Sequence, residues 1–141
     1  MSIWMQKVTV RDLNKLSDKS MVSYIGIEFT EIGEDYICAK MPVDHRTHQP
    51  DGLLHGGASV ALAETLGSVA SNLCVNRDRK ICVGLDINAN HIRSARNGYV
   101  NGIAKPVHLG ASTHIWEIRI SNEKNSLICI ARLTMAVLDK A

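Results

Sequence analysis

The stretch Gln49-Pro50-Asp51-Gly52-Leu53-Leu54-His55-Gly56-Gly57 runs straight into Ala58-Ser59-Val60-Ala61-Leu62-Ala63-Glu64-Thr65-Leu66-Gly67-Ser68-Val69-Ala70-Ser71-Asn72-Leu73-Cys74-Val75, so a loop of turn residues feeds an apolar segment with one charge. At about 100° per residue, Leu62, Leu66, Val69 and Leu73 form one apolar stripe, as expected of a helix lying on a sheet. Glu64 sits about 200° from Leu62 and Leu66, on a face shared with Gly57, Val60, Ala61, Ser68 and Ser71. A solvated face normally carries several Lys, Glu or Arg residues. This one offers small side chains and one carboxylate, so it reads either as a plain solvent face with Glu64 an ordinary surface residue, or as a helix covered on both sides, by its own sheet and by a second subunit, with Glu64 lining the crevice between them.

Outward from this helix, toward the C-terminus, Asn76 to Lys80 reads as a solvated turn. Ile81 to Asn90 alternates, with Ile81, Val83, Leu85, Ile87 and Ala89 on one face of a strand and Cys82, Gly84, Asp86, Asn88 and Asn90 on the other. Further strands are expected over Gly98 to Val107, Thr113 to Ser121 and Leu127 to Leu138, the last two joined by a hairpin turn at Asn122 to Ser126. Toward the N-terminus, Asp44 to Leu54 is an eleven-residue loop, long enough to suggest a function. Before it come strands at Met21 to Ile32 and Tyr36 to Val43, the latter with Ile37, Ala39, Met41 and Val43 on one face and Pro42 marking an edge or an end. Arg11 to Leu16 reads as a short helix with Leu13 and Leu16 facing inward, and Ile3 to Val10 as a strand or extended arm. Two strands, a long helix and four more strands predict an α+β domain over residues 1–141, its antiparallel sheet wrapped around the helix.

With 16 basic and 14 acidic residues the chain carries a net charge of +2 and no Lys/Arg stripe, which argues against nucleic acid as the partner. Cys38, Cys74, Cys82 and Cys129 are widely spaced in apolar segments, a pattern of reduced, buried thiols in a cytoplasmic protein rather than of zinc ligands or a disulfide framework. Met1 to Val10 is too short and polar for a signal peptide, and the 57–75 segment is interrupted by Glu64, Asn72 and hydroxyl residues, so no membrane span is expected.

The chemistry gathers at the start of the helix. Its first N–H groups lack internal acceptors and carry partial positive charge, so they can hold an oxyanion, and glycines at 56 and 57 let a carbonyl approach the backbone. Joined with Gln49, His55 and the isolated Glu64, they make an acyl-transfer constellation.

These residues carry a family resemblance. Gln49-Pro50, Gly52-Leu53-Leu54-His55-Gly56-Gly57-Ala58-Ser59, Ala63-Glu64 and Ser68 resemble the hotdog-fold acyl-CoA thioesterases of the phenylacetate and 4-hydroxybenzoyl-CoA type. Met41-Pro42-Val43-Asp44, Asn88-Ala89-Asn90-His91-Ile92-Arg93, His108-Leu109-Gly110 and Trp116 extend the likeness over nearly the whole chain. Within that family the sequence is most similar to the bacterial branch holding the dihydroxynaphthoyl-CoA thioesterase of menaquinone biosynthesis and the proofreading thioesterase of enterobactin synthesis.

The resemblance implies dimers, usually paired into tetramers, with active sites at the dimer interface. It makes Glu64 the nucleophile or general base and the Gly56 N–H the donor to the thioester carbonyl. Gln49 and His55 would position the thioester or water, and Ser68 would assist from one turn beyond Glu64. His91 and Arg93, with Arg96 nearby, and the backbone of Gly110, Ala111 and Ser112 are expected to bind the CoA phosphates. Asp51 and Asn72 stand where relatives carry aromatic residues lining the acyl pocket. His45, His48 and His114 read as loop or surface residues without a role. No metal and no cofactor are expected, CoA being part of the substrate. The competing readings are an aroyl group carried on an acyl carrier protein, a dehydratase of the same fold, and a non-catalytic acyl-CoA-binding module.

Overall fold

The computed structural model describes residues 1–141. Three helices, α1 (Val10–Leu16), α2 (Met21–Tyr24) and α3 (Gly56–Leu73), accompany six strands: β1 (Glu28–Ile32), β2 (Ile37–Pro42), β3 (Lys80–His91), β4 (Tyr99–Leu109), β5 (Thr113–Asn122) and β6 (Leu127–Asp139). The strands form one sheet in the order β1-β2-β4-β5-β6-β3, and every pairing is antiparallel. The sheet curls around α3, the hotdog arrangement that the alternation of the strands and the leucine stripe predicted.

Close approach of α3 to the sheet rests on two glycines. A side chain at Gly67 would start 2.5 Å from Leu133 Cδ2, and one at Gly102 would start 2.7 Å from Leu66 Cδ1. Leu62, Ala63, Leu66 and Ala70 are therefore fully buried against Trp116, Ile118, Ile120 and Leu133 from the sheet. Burial of this kind is worth roughly 1.5–3 kcal/mol for each large side chain. Val69, expected on the same stripe, is only half-buried, and Ser71, expected beside Glu64, is fully buried. Ser71 is buried because its hydroxyl meets His114 and Trp116 of β5, whereas Val69 borders an open recess beside the N-terminal segment at this C-terminal half of α3. The N-terminal arm, which joins no strand, crosses it and supplies the donors that its last carbonyls need. Met5 N–H donates to the Leu73 carbonyl (2.8 Å), and Gln6 Nε2 donates to the carbonyls of Asn72 (3.2 Å) and Val75 (2.7 Å). Trp4 lies parallel to Trp116 at 6.4 Å between ring centres.

Three local expectations change. Met21 to Ile32 is not one strand, because Met21–Tyr24 coils into α2 and Gly26, at φ +81°, turns the chain into β1. Leu13 of α1 is buried as expected, but Leu16 is 78% exposed. In β3 the single apolar face is broken by a bulge between Gly84 and Asp86, where Leu85 has no partner on β6. Before the bulge Cys82 and Gly84 stand opposite Val137 and Met135; after it Ile87 and Ala89 stand opposite Leu133 and Ala131. An extra residue in a period-two element moves every later side chain to the other face. Val83 and Leu85 are left exposed, at 39% and 62%.

The two edges of the sheet differ. At β1, the side-chain amide of Asn14 donates to the Phe29 carbonyl (3.0 Å) and accepts from its N–H (2.7 Å), as a neighbouring strand would. At the other edge β3 runs for twelve residues beside β6 alone.

His114 is a further correction: it is 4% exposed on β5, not a surface residue. Its Nδ1 lies 3.0 Å from Ser71 Oγ, which also accepts a 2.6 Å bond from Trp116 Nε1. Burial, and then the nearby His108, lower the His114 pKa from its ordinary 6.5. The folded chain thus prefers the neutral ring while the unfolded chain takes up a proton below 6.5, so stability falls as pH drops through that value. Melting temperatures followed from pH 7 to about 5 should fall less steeply in His114→Gln than in the native chain. All four cysteines are free thiols, though Cys38 and Cys74 are half-buried rather than enclosed. Burial pushes Cys74 up to about 12 and Cys38 to about 11. No helix is long and apolar enough to cross a membrane.

Candidate active site

The loop from Asp44 to Leu54 is tied to the turn after β3 and to the N-cap of α3. His48 meets the Arg96 carbonyl through its ring Nε2 (2.9 Å), Leu54 N–H donates to the Ala95 carbonyl (2.8 Å), and His55 N–H donates to the Thr47 carbonyl (2.8 Å). Within the loop, Gln49 N–H donates to Leu53, Gly52 N–H returns to the Gln49 carbonyl, and Gln49 Oε1 accepts from the Asp51 N–H. Gly52, at φ +77°, is in the left-handed region this tight turn requires. With its Oε1 occupied, Gln49 keeps its amide nitrogen free to donate.

His55 is the N-cap of α3, and its Nδ1 accepts from Gly57 N–H at 2.7 Å. A neutral ring making that bond carries its proton on Nε2, which points a donor away from the helix. Ala58 and Ser59 N–H both go to the His55 carbonyl (3.0 and 3.3 Å). Of the donors in the first turn, Gly56 N–H alone has no acceptor within the chain. It opens on a recess of about 310 Å³ that Gln49, Ser59, His91 and Arg93 also line. A side chain at Gly56 would start 2.8 Å from His91 Nε2, so any larger residue there would have to push the imidazole aside. Arg93 Nη1 is tied to the Leu127 carbonyl (2.9 Å), which holds the guanidinium at the rim.

Glu64 is exposed and stands elsewhere: a side chain at Gly84 in β3 would start 2.7 Å from its Oε2. Glycine inside a strand often marks such a close approach, a signal present in the sequence but not read there. Gly84 and His91 are seven residues apart on β3, roughly 20 Å at the usual strand rise. Within one chain, then, the carboxylate and the free N–H flank opposite ends of β3. Ser68 follows Glu64 by one turn and is half-buried.

Asn72 spends its amide on structure. It donates to Ser68 and Cys82 carbonyls (2.9 and 3.2 Å) and accepts from Cys82 N–H (3.0 Å), clamping α3 to β3. Asp51 is an exposed residue of the turn and does not line the recess. Gly110, Ala111 and Ser112 lie at the far end of the molecule. Gly110 N–H is bonded to Thr113, Ser112 accepts from Val137, and Gly110 and Ala111 border a separate recess with Cys74, Arg79 and Lys80. α3 is 18 residues long, about 27 Å, so one chain does not bring this turn to His91 and Arg93. Ser59, buried at 1% and facing the recess, was not singled out from the sequence, where a serine in an apolar helix gives no distinguishing pattern.

A family model described as the thioesterase superfamily matches residues 51–129, more than half of the chain. The chain belongs to the thioesterase superfamily. It is a thioester hydrolase, and relatives agree along nearly its full length. It is similar to the 1,4-dihydroxy-2-naphthoyl-CoA hydrolase of Escherichia coli, with 54% identity covering 96% of this chain and 99% of that protein. It is similar to the proofreading thioesterase EntH of Cronobacter turicensis, with 48% identity over 96% of this chain and 98% of that one. Its fold superposes on a mutant thioesterase from Pseudomonas aeruginosa with a TM-score of 0.97 at 50% identity, over 99% of this chain and all of the other.

A valine at Gly84 should push the Glu64 carboxylate aside. If Glu64 is a reacting group, Gly84→Val is expected to lower kcat on an accepted acyl-CoA by on the order of 100-fold, the usual cost of a displacement near 1 Å. Steady-state kinetics beside a circular dichroism spectrum would check this.

Proposed function

We propose that this thioesterase hydrolyses an aromatic acyl-CoA to the free acid and CoA at a site shared by two chains, with Glu64 from one and the Gly56 N–H from the other. The unpaired Gly56 N–H beside Gln49 and His91 is the observation that carries the reading. It is placed to receive the charge that develops on a thioester oxygen, and one such donor is worth roughly 3 kcal/mol in the transition state. Glu64 either takes a proton from the water that attacks the carbonyl carbon, or attacks that carbon itself to give an anhydride that water then hydrolyses, releasing the acid and restoring the carboxylate. The bond that breaks is C–S, and the departing thiolate has a reference pKa near 8.5, so it leaves without a strong acid. Nothing in this sequence of steps calls for a cofactor.

The distance between Glu64 and Gly56 supports the shared site. Antiparallel pairing of β3 with a second copy, centred between Ile87 and Asn88, sets Gly84 opposite the partner's His91. Glu64 then comes beside the partner's Gly56, and each chain supplies half of two equivalent sites. The exposed Val83 and Leu138 favour packing of a second dimer on the outside of the sheet. Light scattering in solution should give a mass of two or four chains, and a monomer would overturn the shared site.

The aromatic acyl group is supported by the likeness to the Escherichia coli hydrolase. A thiol-release screen over acyl-CoAs should show the highest kcat/KM for hydroxylated aryl groups; a preference for saturated chains would overturn this assignment. The likeness to the proofreading enzyme supports a second reading, an aroyl group on an acyl carrier protein. It would be favoured by a higher kcat/KM on the aroyl carrier protein than on the matching CoA thioester. Free thiols and acyl-CoA chemistry both accord with a cytoplasmic location.

A further inference from the structure

Ser59 is a polar residue at a core position. It precedes Leu66 by seven residues, which places it within about 20° of the leucine stripe of α3, and it is 1% exposed. A serine inside a helix ordinarily returns its hydroxyl to the carbonyl four residues back. Here that carbonyl belongs to His55, whose two lone pairs already receive the N–H groups of Ala58 (3.0 Å) and of Ser59 itself (3.3 Å). No enclosed side-chain nitrogen or oxygen of the chain lacks a partner, so the Ser59 Oγ, which has none, is reached from the recess that it lines. The walls nearest the helix, Leu54, Ile92 and Ile128, carry no polar side-chain atom to meet it. The direction of the hydroxyl follows from the helix. Side chains on an α-helix lean toward its N-terminus, so Ser59 is tilted back over the first turn. Gly56 stands one turn earlier, about 4.5 Å along the axis, and its unpaired N–H opens into the same recess. Two unused hydrogen-bond donors therefore face one space. A buried polar group without a partner is costly, and what enters the recess can complete its bonding.

We propose that the Ser59 hydroxyl is a second donor to the thioester oxygen and works with the Gly56 N–H in the transition state. The proposal rests on the Gly56 recess being the oxyanion site. As the nucleophile adds to the carbonyl carbon, the C=O π pair moves onto oxygen, and the Ser59 O–H and Gly56 N–H both donate to it. When the C–S bond breaks, that pair returns to re-form the carbonyl and the sulfur leaves as thiolate. The hydroxyl keeps its proton throughout, so Ser59 acts as a donor and not as a nucleophile. Its burial confines the O–H to the recess, which gives a side-chain donor some of the fixed aim of a backbone N–H.

Ser59→Ala removes an unbonded hydroxyl from an apolar wall, so the melting temperature is expected to stay native or rise. On the best acyl-CoA of the thiol-release screen, kcat is expected to fall by about 10- to 100-fold while KM stays within about twofold of native. A second readout needs no turnover. A ketone analogue of benzoyl-CoA, with a methylene between carbonyl and sulfur, binds without being cleaved, and its carbon-13 carbonyl stretch can be followed by infrared difference spectroscopy. That stretch should lie at higher frequency in the Ser59→Ala complex than in the native complex, because one hydrogen bond to the oxygen is gone. A kcat within about twofold of native, or a carbonyl frequency that does not move, overturns the role of Ser59 and leaves the Gly56 reading intact. A fall in kcat with an unmoved frequency counts as a structural defect and overturns it equally. If the stretch in the native complex matches that of the free analogue in an aprotic solvent, no donor reaches the oxygen, and the Gly56 and Ser59 assignments fall together.

Discussion

Glu64→Gln is expected to lower kcat by about 10²–10⁴-fold, the contribution a positioned carboxylate makes as base or nucleophile. The substitution keeps the shape and removes only the charge. Glu64 is exposed and makes no hydrogen bond or ion pair within the chain, so no structural contact is lost with it. The leucine side of the helix is untouched, and the melting temperature should stay within a few degrees of native. KM should change little if, as proposed, the carboxylate acts on the reacting carbon and not on the CoA moiety. Turnover within a few-fold of native would remove Glu64 from the chemistry and leave the Gly56 recess without a reactive group.

Two inactive variants are expected to rescue each other. If Glu64 of one chain works with the loop of the other, a mixture of Glu64→Gln and Gln49→Ala chains, unfolded and refolded together, forms heterodimers in which one site carries both lesions and the other carries neither. Random pairing makes half of the dimers mixed, each with one intact site, so about a quarter of native activity should return. A site built within a single chain gives no recovery in any mixture. The readout is large because it rises from near zero, and it does not depend on which acyl group the enzyme prefers. Gln49 suits the experiment because its backbone bonds hold the turn, so truncating its side chain leaves the loop tied through Leu53 and Gly52.

What could be read before the coordinates follows from the range of the forces involved. The helix, the strand alternation at Ile37 to Val43 and the turn at Asn122 to Ser126 are set by neighbours a few residues away. The last of these is a case of local chemistry: Asn122 Oδ1 accepts from Lys124 and Ser126 N–H, and Asn125 takes the left-handed conformation asparagine tolerates. What escaped depends on distant partners. Alternation over Ile81 to Asn90 is genuine, but whether one residue is squeezed out as a bulge depends on the register with β6. His114 looks like any polar residue in an alternating strand until Ser71, 43 positions earlier, is brought against it. The candidate site divides along the same line. Gln49, His55, Gly56 and Glu64 stood out as residue types, but the spacing between the free N–H and the carboxylate appears only once β3 is laid beside α3. Gly110 to Ser112 and His91 with Arg93 read as one phosphate site in sequence and lie at opposite ends of the helix in space.

The amide of Asn14 carries a consequence for how many chains can join. A sheet with two open edges is a bifunctional monomer, and each pairing leaves a new free end, so growth continues into a fibre. Asn14 occupies the N–H and carbonyl of Phe29 and so closes that stretch of the sheet edge with two hydrogen bonds from the chain's own sequence. The molecule is left monofunctional in edge-to-edge pairing. In the dimer proposed above, union of two β3 edges would consume the remaining valence, and the twelve-stranded sheet, capped by Asn14 at both ends, would have nowhere further to grow. Replacing that one asparagine would reopen the terminus, and the first sign would be lengthening aggregates rather than lost catalysis.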